Sequence, residues 1–73
     1  MNKYDFFAAV AEILESDQTS FSGNEQLDEI GNWDSLSVIT FVAMVDDKLG
    51  QIVDPDKLRS AQNLNDLAAL VSL

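Results

Sequence analysis

Ser35 is the residue on which any chemistry in this sequence has to rest. The 73 residues contain no His and no Cys. That removes the commonest general base, the commonest metal ligand, thiolate metal sites, disulfides and every Ser-His or Cys-His pairing. Carboxylates, hydroxyls, one Tyr and four basic side chains remain. Asp46 and Asp47 are neighbours, so on a helix they point about 100° apart and cannot face each other as an acid/base pair. Asp54 and Asp56 lack the spaced acidic ladder and glycine of a calcium loop. Gly23, Gly31 and Gly50 stand singly, so no glycine-rich phosphate cradle exists, and no basic patch is interleaved with aromatics. Catalysis, metal binding and nucleic-acid binding are all disfavoured.

The surroundings of Ser35 point elsewhere. Asp34 is a good helix N-cap, which places Ser35 at the first helical position. The hydroxyl there is exposed, beside unpaired backbone N–H groups and the positive end of the helix dipole, a place suited to a covalently attached phosphate. Taken alone the signal is weak, because Ser is tolerated in any first turn. Trp33 precedes the cap and Val38 follows at hydrophobic-staple spacing, whereas Ser37 stands where a capping box would need Glu or Gln.

The elements that must hold this site are all helical. Asn2 caps a helix expected over about 3–16, with Phe6, Phe7, Val10, Ile13 and Leu14 inward and Asp5, Glu12 and Glu15 outward. Residues 17–33 have loop chemistry, pinned by Phe21, Leu27 and Ile30, with one short turn near 25–30. Such a loop serves as a plain connector between parallel helices or as a functional loop. The longest helix runs 35–49 and stops at Gly50. Val38, Phe41, Val42, Val45 and Leu49 form its expected buried face. Leu36, Thr40, Ala43 and Asp47 form an opposite stripe, flanked by Ile39, Met44 and Asp46. That stripe mixes apolar and acidic residues and is a partner-binding candidate, set against an ordinary solvated face.

Asp54-Pro55 starts a short helix to about Ser60, anchored by Leu58. Asn63 caps the last helix, whose inner face is Leu64, Leu67, Ala68 and Val71, with Leu70 beside it. No segment alternates as a strand would. The expected fold is all-α, a four-helix bundle with three longer helices, one short helix and a long first loop, formed by residues 1–73 as a single domain. Thirteen acidic residues against four basic give a net charge of −9. This disfavours nucleic acid and anionic lipid and favours basic partner surfaces, although acidity also serves solubility alone. No signal peptide and no membrane-length apolar run is visible, so a cytoplasmic protein is expected.

Taken together, these features resemble an acyl carrier protein. The resemblance rests on Asp34-Ser35-Leu36 opening a long amphipathic helix, on the apolar-acidic outward face ending at Asp46-Asp47, and on the long loop before it. The short Pro55 helix and the closing Leu64-Asn65-Asp66-Leu67 segment also match. The resemblance implies that Ser35 receives 4′-phosphopantetheine from coenzyme A, that Asp34 helps the phosphopantetheinyl transferase engage, and that Leu36 belongs to the same motif. It implies that Leu36, Ile39, Thr40, Ala43, Asp46 and Asp47 are read by acyl- or aminoacyl-handling enzymes with basic docking surfaces. The protein would be a monomeric carrier, not an enzyme. With no base beside Ser35, the transferase must supply base and metal.

The sequence departs from fatty-acid-synthesis carriers at Trp33, where a small residue is usual, and at Ser37 and Thr40, where acids are common. Its loop is also longer. Trp-Asp-Ser is more similar to specialised carriers, including D-alanyl carriers and those of secondary-metabolite or surface-polysaccharide pathways. Phe6, Phe7, Phe41 and Trp33 fill space that a long acyl chain would need, which favours a short acyl or aminoacyl load. A competing reading is an acidic helical interaction module that is never modified.

Overall fold

The computed structural model describes residues 1–17 and 20–71. Five helices follow in order: α1 Lys3–Ile13, α2 Leu27–Ile30, α3 Ser35–Leu49, α4 Pro55–Arg59 and α5 Leu64–Leu70. The all-α expectation holds. Among the described residues the nearest thing to a sheet is one isolated antiparallel bridge, Gln26 with Asn63. The helix additional to the expected four is α2, a single turn inside the long loop, at the position where a short turn was expected.

Capping chemistry sets the helix starts. Asn2 Oδ1 accepts from Asp5 N at 2.8 Å, Asp54 Oδ1 from Asp56 N at 2.9 Å and Asn63 Oδ1 from Asp66 N at 2.9 Å. Each satisfies a backbone donor that the helix itself leaves unpaired. Pro55 occupies the first turn of α4, where its missing N–H is no loss. Gly50, left-handed at φ 64°, ends α3. The first helix is shorter than the 3–16 its pattern suggested. Leu14 caps it, and Glu15 turns left-handed at φ 57°. Glu15 N then donates to Glu12 O and Ser16 N to Ala11 O, a helix-ending turn usually built on Gly. Apolar periodicity continues through Leu14 but does not show this stop. Likewise α4 ends at Arg59, with Ser60 as its cap.

The helices close a ring of packing pairs: α1 on α3, α3 on α4, α4 on α5 and α5 on α1. Inside it lie Phe6, Val10, Phe41, Val45, Leu58, Leu64 and Leu67, each with essentially no exposed surface. Burying a side chain of this kind contributes roughly 1.5–3 kcal/mol. The ring of Phe41 meets Phe6 edge-on, centroids 5.8 Å apart. The long loop is tied in by both side chains and backbone. Leu27 and Ile30 are buried and Phe21 packs against the core. Leu27 N donates to Gln62 O and Asn65 N to Gly23 O, both at 2.9 Å. A single loop thus reaches across to the α4–α5 junction and delivers the chain to the start of α3.

The buried face of α3 differs from the expected one. The buried line of α3 runs through Ser37, Phe41 and Val45. Val38, Val42 and Leu49, expected inside, are half-buried, and Met44, expected on the outward flank, packs against the core. The buried stripe thus lies toward the Ser37 and Met44 side, which faces α1, while Val38 and Val42 border a groove toward α4. Apolar side chains on both flanks are thereby half-covered.

Candidate functional site

The start of α3 is fixed by a small polar knot. Asp34 Oδ1 accepts from Ser37 N at 3.0 Å. Ser37 Oγ donates to Asn32 O at 2.6 Å, with Asp34 Oδ1 also within reach at 3.1 Å. The Glu or Gln of a capping box is absent, as expected, and Ser37 makes a different contact in its place. Its hydroxyl reaches back past the cap and holds the Asn32 carbonyl, so residues 32–34 are locked to the first turn. Ser37 is the one polar side chain buried in the core of the described residues. Its role was missed in the sequence because Ser at this position carries no strong signal. The amide and then the hydroxyl of Ser37 hold the Asp34 carboxyl below its ordinary value of 3.8.

Two supports lie beneath the knot. Trp33 is half-buried and meets Phe41 edge-on, centroids 6.2 Å apart. It shares one groove wall with Val38, its expected staple partner, but its ring contact is with Phe41. Behind it, Gly31 lies tight against the backbone of Leu14 at the end of α1.

Ser35 is exposed at the first position of the 15-residue α3. Among the described residues its hydroxyl has no hydrogen-bond partner. Leu36 and Ile39 stand out into solvent at 71% and 66% exposure. Thr40, Ala43, Asp46 and Asp47 are exposed as well, so all six expected docking positions lie on the open side of α3. Thr40 Oγ1 donates back to Leu36 O at 2.9 Å, and Asp47 pairs loosely with Lys48 at 3.7 Å. The start of α3 is a ridge between two grooves. One, an open groove of about 530 Å³, lies toward α4 and is bordered by Ser35, Trp33, Val38, Ile39, Val42 and Arg59. The other lies toward α1, with Leu36, Thr40 and Met44 facing Glu12 and Ile13. Among the described residues no group of acids is placed to hold a metal ion. No described helix is long and apolar enough to cross a membrane.

The sequence model of the family described as "Phosphopantetheine attachment site" matches residues 6–71. The chain belongs to that family. The match runs from Phe6, within α1, to Val71, just past α5, and so includes all five helices except the first residues of α1. Members carry covalently bound 4′-phosphopantetheine and are carriers, not enzymes. Membership brings two classes of partner: a phosphopantetheinyl transferase and enzymes that handle acyl groups. Comparison with curated proteins and with solved structures gave no match.

Proposed function

We propose that residues 1–73 act as one cytoplasmic carrier domain, with Ser35 as the attachment site of 4′-phosphopantetheine. One observation carries this reading: an exposed, unpartnered hydroxyl stands at the first position of a long, firmly capped helix in a phosphopantetheine-attachment chain. The donor set fits the group. The helix end favours an added negative charge, and the hydroxyl is open to a transferase. Asp34, whose carboxylate is held by Ser37, caps the helix and is not placed as a base by any hydrogen bond to Ser35. Ser35 Oγ forms a bond to the β-phosphorus of coenzyme A. The bond to the nucleotide's phosphate breaks, the nucleoside bisphosphate leaves with that electron pair, and the proton passes to a base on the transferase. The attached group supplies a terminal thiol, which lets a chain without Cys hold a thioester.

Leu36, Ile39, Thr40, Ala43, Asp46 and Asp47 form the face that partner enzymes read, with Leu36 and Ile39 as apolar anchors and the two acids meeting basic surfaces. The cargo is a short acyl or aminoacyl group, as in a specialised carrier. The support is packing: Phe6 and Phe41 have no exposed surface and Phe7 only 3%, and the space that Ser35 borders is an open groove. Chemical shifts of long- and short-chain forms test this. Val42, in the groove wall, should move and Val45, in the core, should not; large Val45 shifts on long-chain loading contradict it.

The attachment itself is tested by incubating the protein with coenzyme A and a broad-specificity phosphopantetheinyl transferase, then measuring intact mass. Wild type should gain one phosphopantetheine and Ser35→Ala none. An unmodified wild type would support the competing interaction module.

A further inference from the structure

An anion added to Ser35 enters ground that is already negative. Asp34 caps the same helix end and accepts from Ser37 N at 3.0 Å. Its carboxyl is held ionised by that capping. The chain as a whole has thirteen acids and four cations. Only one of those cations borders the groove that Ser35 borders, and it is Arg59, the last residue of α4. Arg59 Nη1 lies 3.1 Å from Asp56 Oδ1, its ion-pair partner one helical turn earlier. Both side chains are open to water, 69% and 87% exposed. An exposed pair of this kind is weak, so the guanidinium can change partners at little cost.

We propose that Arg59 is the counter-ion of the phosphodiester on Ser35, drawing the root of the arm across the groove between α3 and α4. The inference rests on Ser35 being the attachment site. A guanidinium presents its donors in a planar fork that matches two phosphate oxygens at once. The groove wall between the two sites is apolar, through Val38, Ile39 and Val42, and offers the guanidinium no competing carboxylate there. The groove on the other side of the ridge is lined by Glu12 and Glu15 and also by Met1 and Lys48. Of the two grooves Ser35 borders the α4-side one, so the arm is rooted on the side that holds Arg59. The same contact offsets the repulsion between the phosphodiester and Asp34.

Nitrogen-15-labelled protein in the apo and phosphopantetheine-loaded states tests this, with loading verified by intact mass. On loading, the Arg59 Nε–H resonance should shift and its exchange with water should slow about two- to five-fold. The phosphorus-31 line of loaded Arg59→Gln should differ from that of loaded wild type, with Arg59→Lys between them. Asp56→Asn, which releases Arg59, should strengthen the effect. Full loading with an unmoved Arg59 resonance and identical phosphorus lines overturns the inference and leaves the attachment site standing. A shift that appears only after acyl loading overturns it too, since Arg59 then serves the cargo. Absence of any mass gain overturns the attachment reading and this inference together.

Discussion

The indole of Trp33 meets the ring of Phe41 edge-on, with planes at 77°, two residues before Ser35. Phe41 in turn meets Phe6 of α1 at 82°. The candidate attachment site is therefore mounted on an aromatic chain that runs into the centre of the bundle. Trp33→Ala removes the first ring. A half-buried indole with one aromatic partner predicts a loss of about 1–3 kcal/mol, measured by urea unfolding. Trp33→Phe should recover much of it. An unchanged midpoint for Trp33→Ala would mean that the indole carries no packing load.

Gly31 is required by space. Its backbone is extended, so its conformation is open to any residue, but a Cβ there would overlap the carbonyl oxygen and Cβ of Leu14. Gly31→Ala must push the loop off the end of α1 and should destabilise the fold by about 1–3 kcal/mol, the usual range for overpacking. Gly50→Ala differs in kind, since Gly50 has open space around it and a left-handed φ of 64°. Comparing their effects on amide exchange in residues 27–33 separates a displaced loop from a strained helix end. The Gly31 account fails if those amides exchange as in wild type.

How much of this was legible follows from what each residue signals. Asp34, Asn63 and Asp54-Pro55 announce helix starts by their own chemistry, and all three helices begin where expected. Leu36, Ile39 and Asp47 read as outward from periodicity alone, and they are exposed. Glu15 gave no warning. A left-handed residue with a Cβ is uncommon, and nothing local distinguishes Glu15 from another helical Glu. Ser37 was hidden for a related reason: its hydroxyl bonds the Asn32 carbonyl five residues back, a contact set by the path of the preceding loop. Arg59 is remote in sequence from Ser35, and only the packing of α4 on α3 brings both to one groove.

Glu15 offers a route to greater stability. It is exposed and left-handed at φ 57°, where an L side chain is strained. Glu15→Gly should raise stability by about 0.5–1 kcal/mol in thermal or urea unfolding, after the glycine's larger unfolded-state entropy is subtracted. Glu15→Val should do the reverse. A Glu15→Gly protein that melts below wild type would contradict the turn described here.

Acid sensitivity follows from two carboxyls. Ser37 lowers Asp34 from its ordinary 3.8. The backbone amide of Ser22 is the largest cause lowering Glu25 from 4.5; burial opposes it, and the Glu25 and Gly23 amides and the Ser22 hydroxyl add to the lowering. For such groups the unfolded chain binds protons first as pH falls. Their stabilisation is present above the ordinary values and is lost as pH drops through the lowered folded values. Relief of the net negative charge acts in the opposite direction on the whole chain, so difference measurements are needed. The stability gap between wild type and Asp34→Asn, or Glu25→Gln, should shrink as pH is lowered from about 6 toward 3. A gap independent of pH would contradict the hydrogen bonds assigned to these carboxylates.

The central claim is that one hydroxyl, Ser35, takes the arm. Trypsin releases residues 4–48 as one peptide, because no Lys or Arg lies between Lys3 and Lys48. That peptide holds Ser16, Ser20, Ser22, Ser35 and Ser37 together. Fragment-ion mass spectrometry of the peptide from transferase-treated protein therefore chooses among all of them at once. The predicted result is phosphopantetheine on Ser35 alone, with Ser37 unmodified because its hydroxyl is buried against Asn32. Phosphopantetheine on any other serine, or continued loading of Ser35→Ala, would contradict the account.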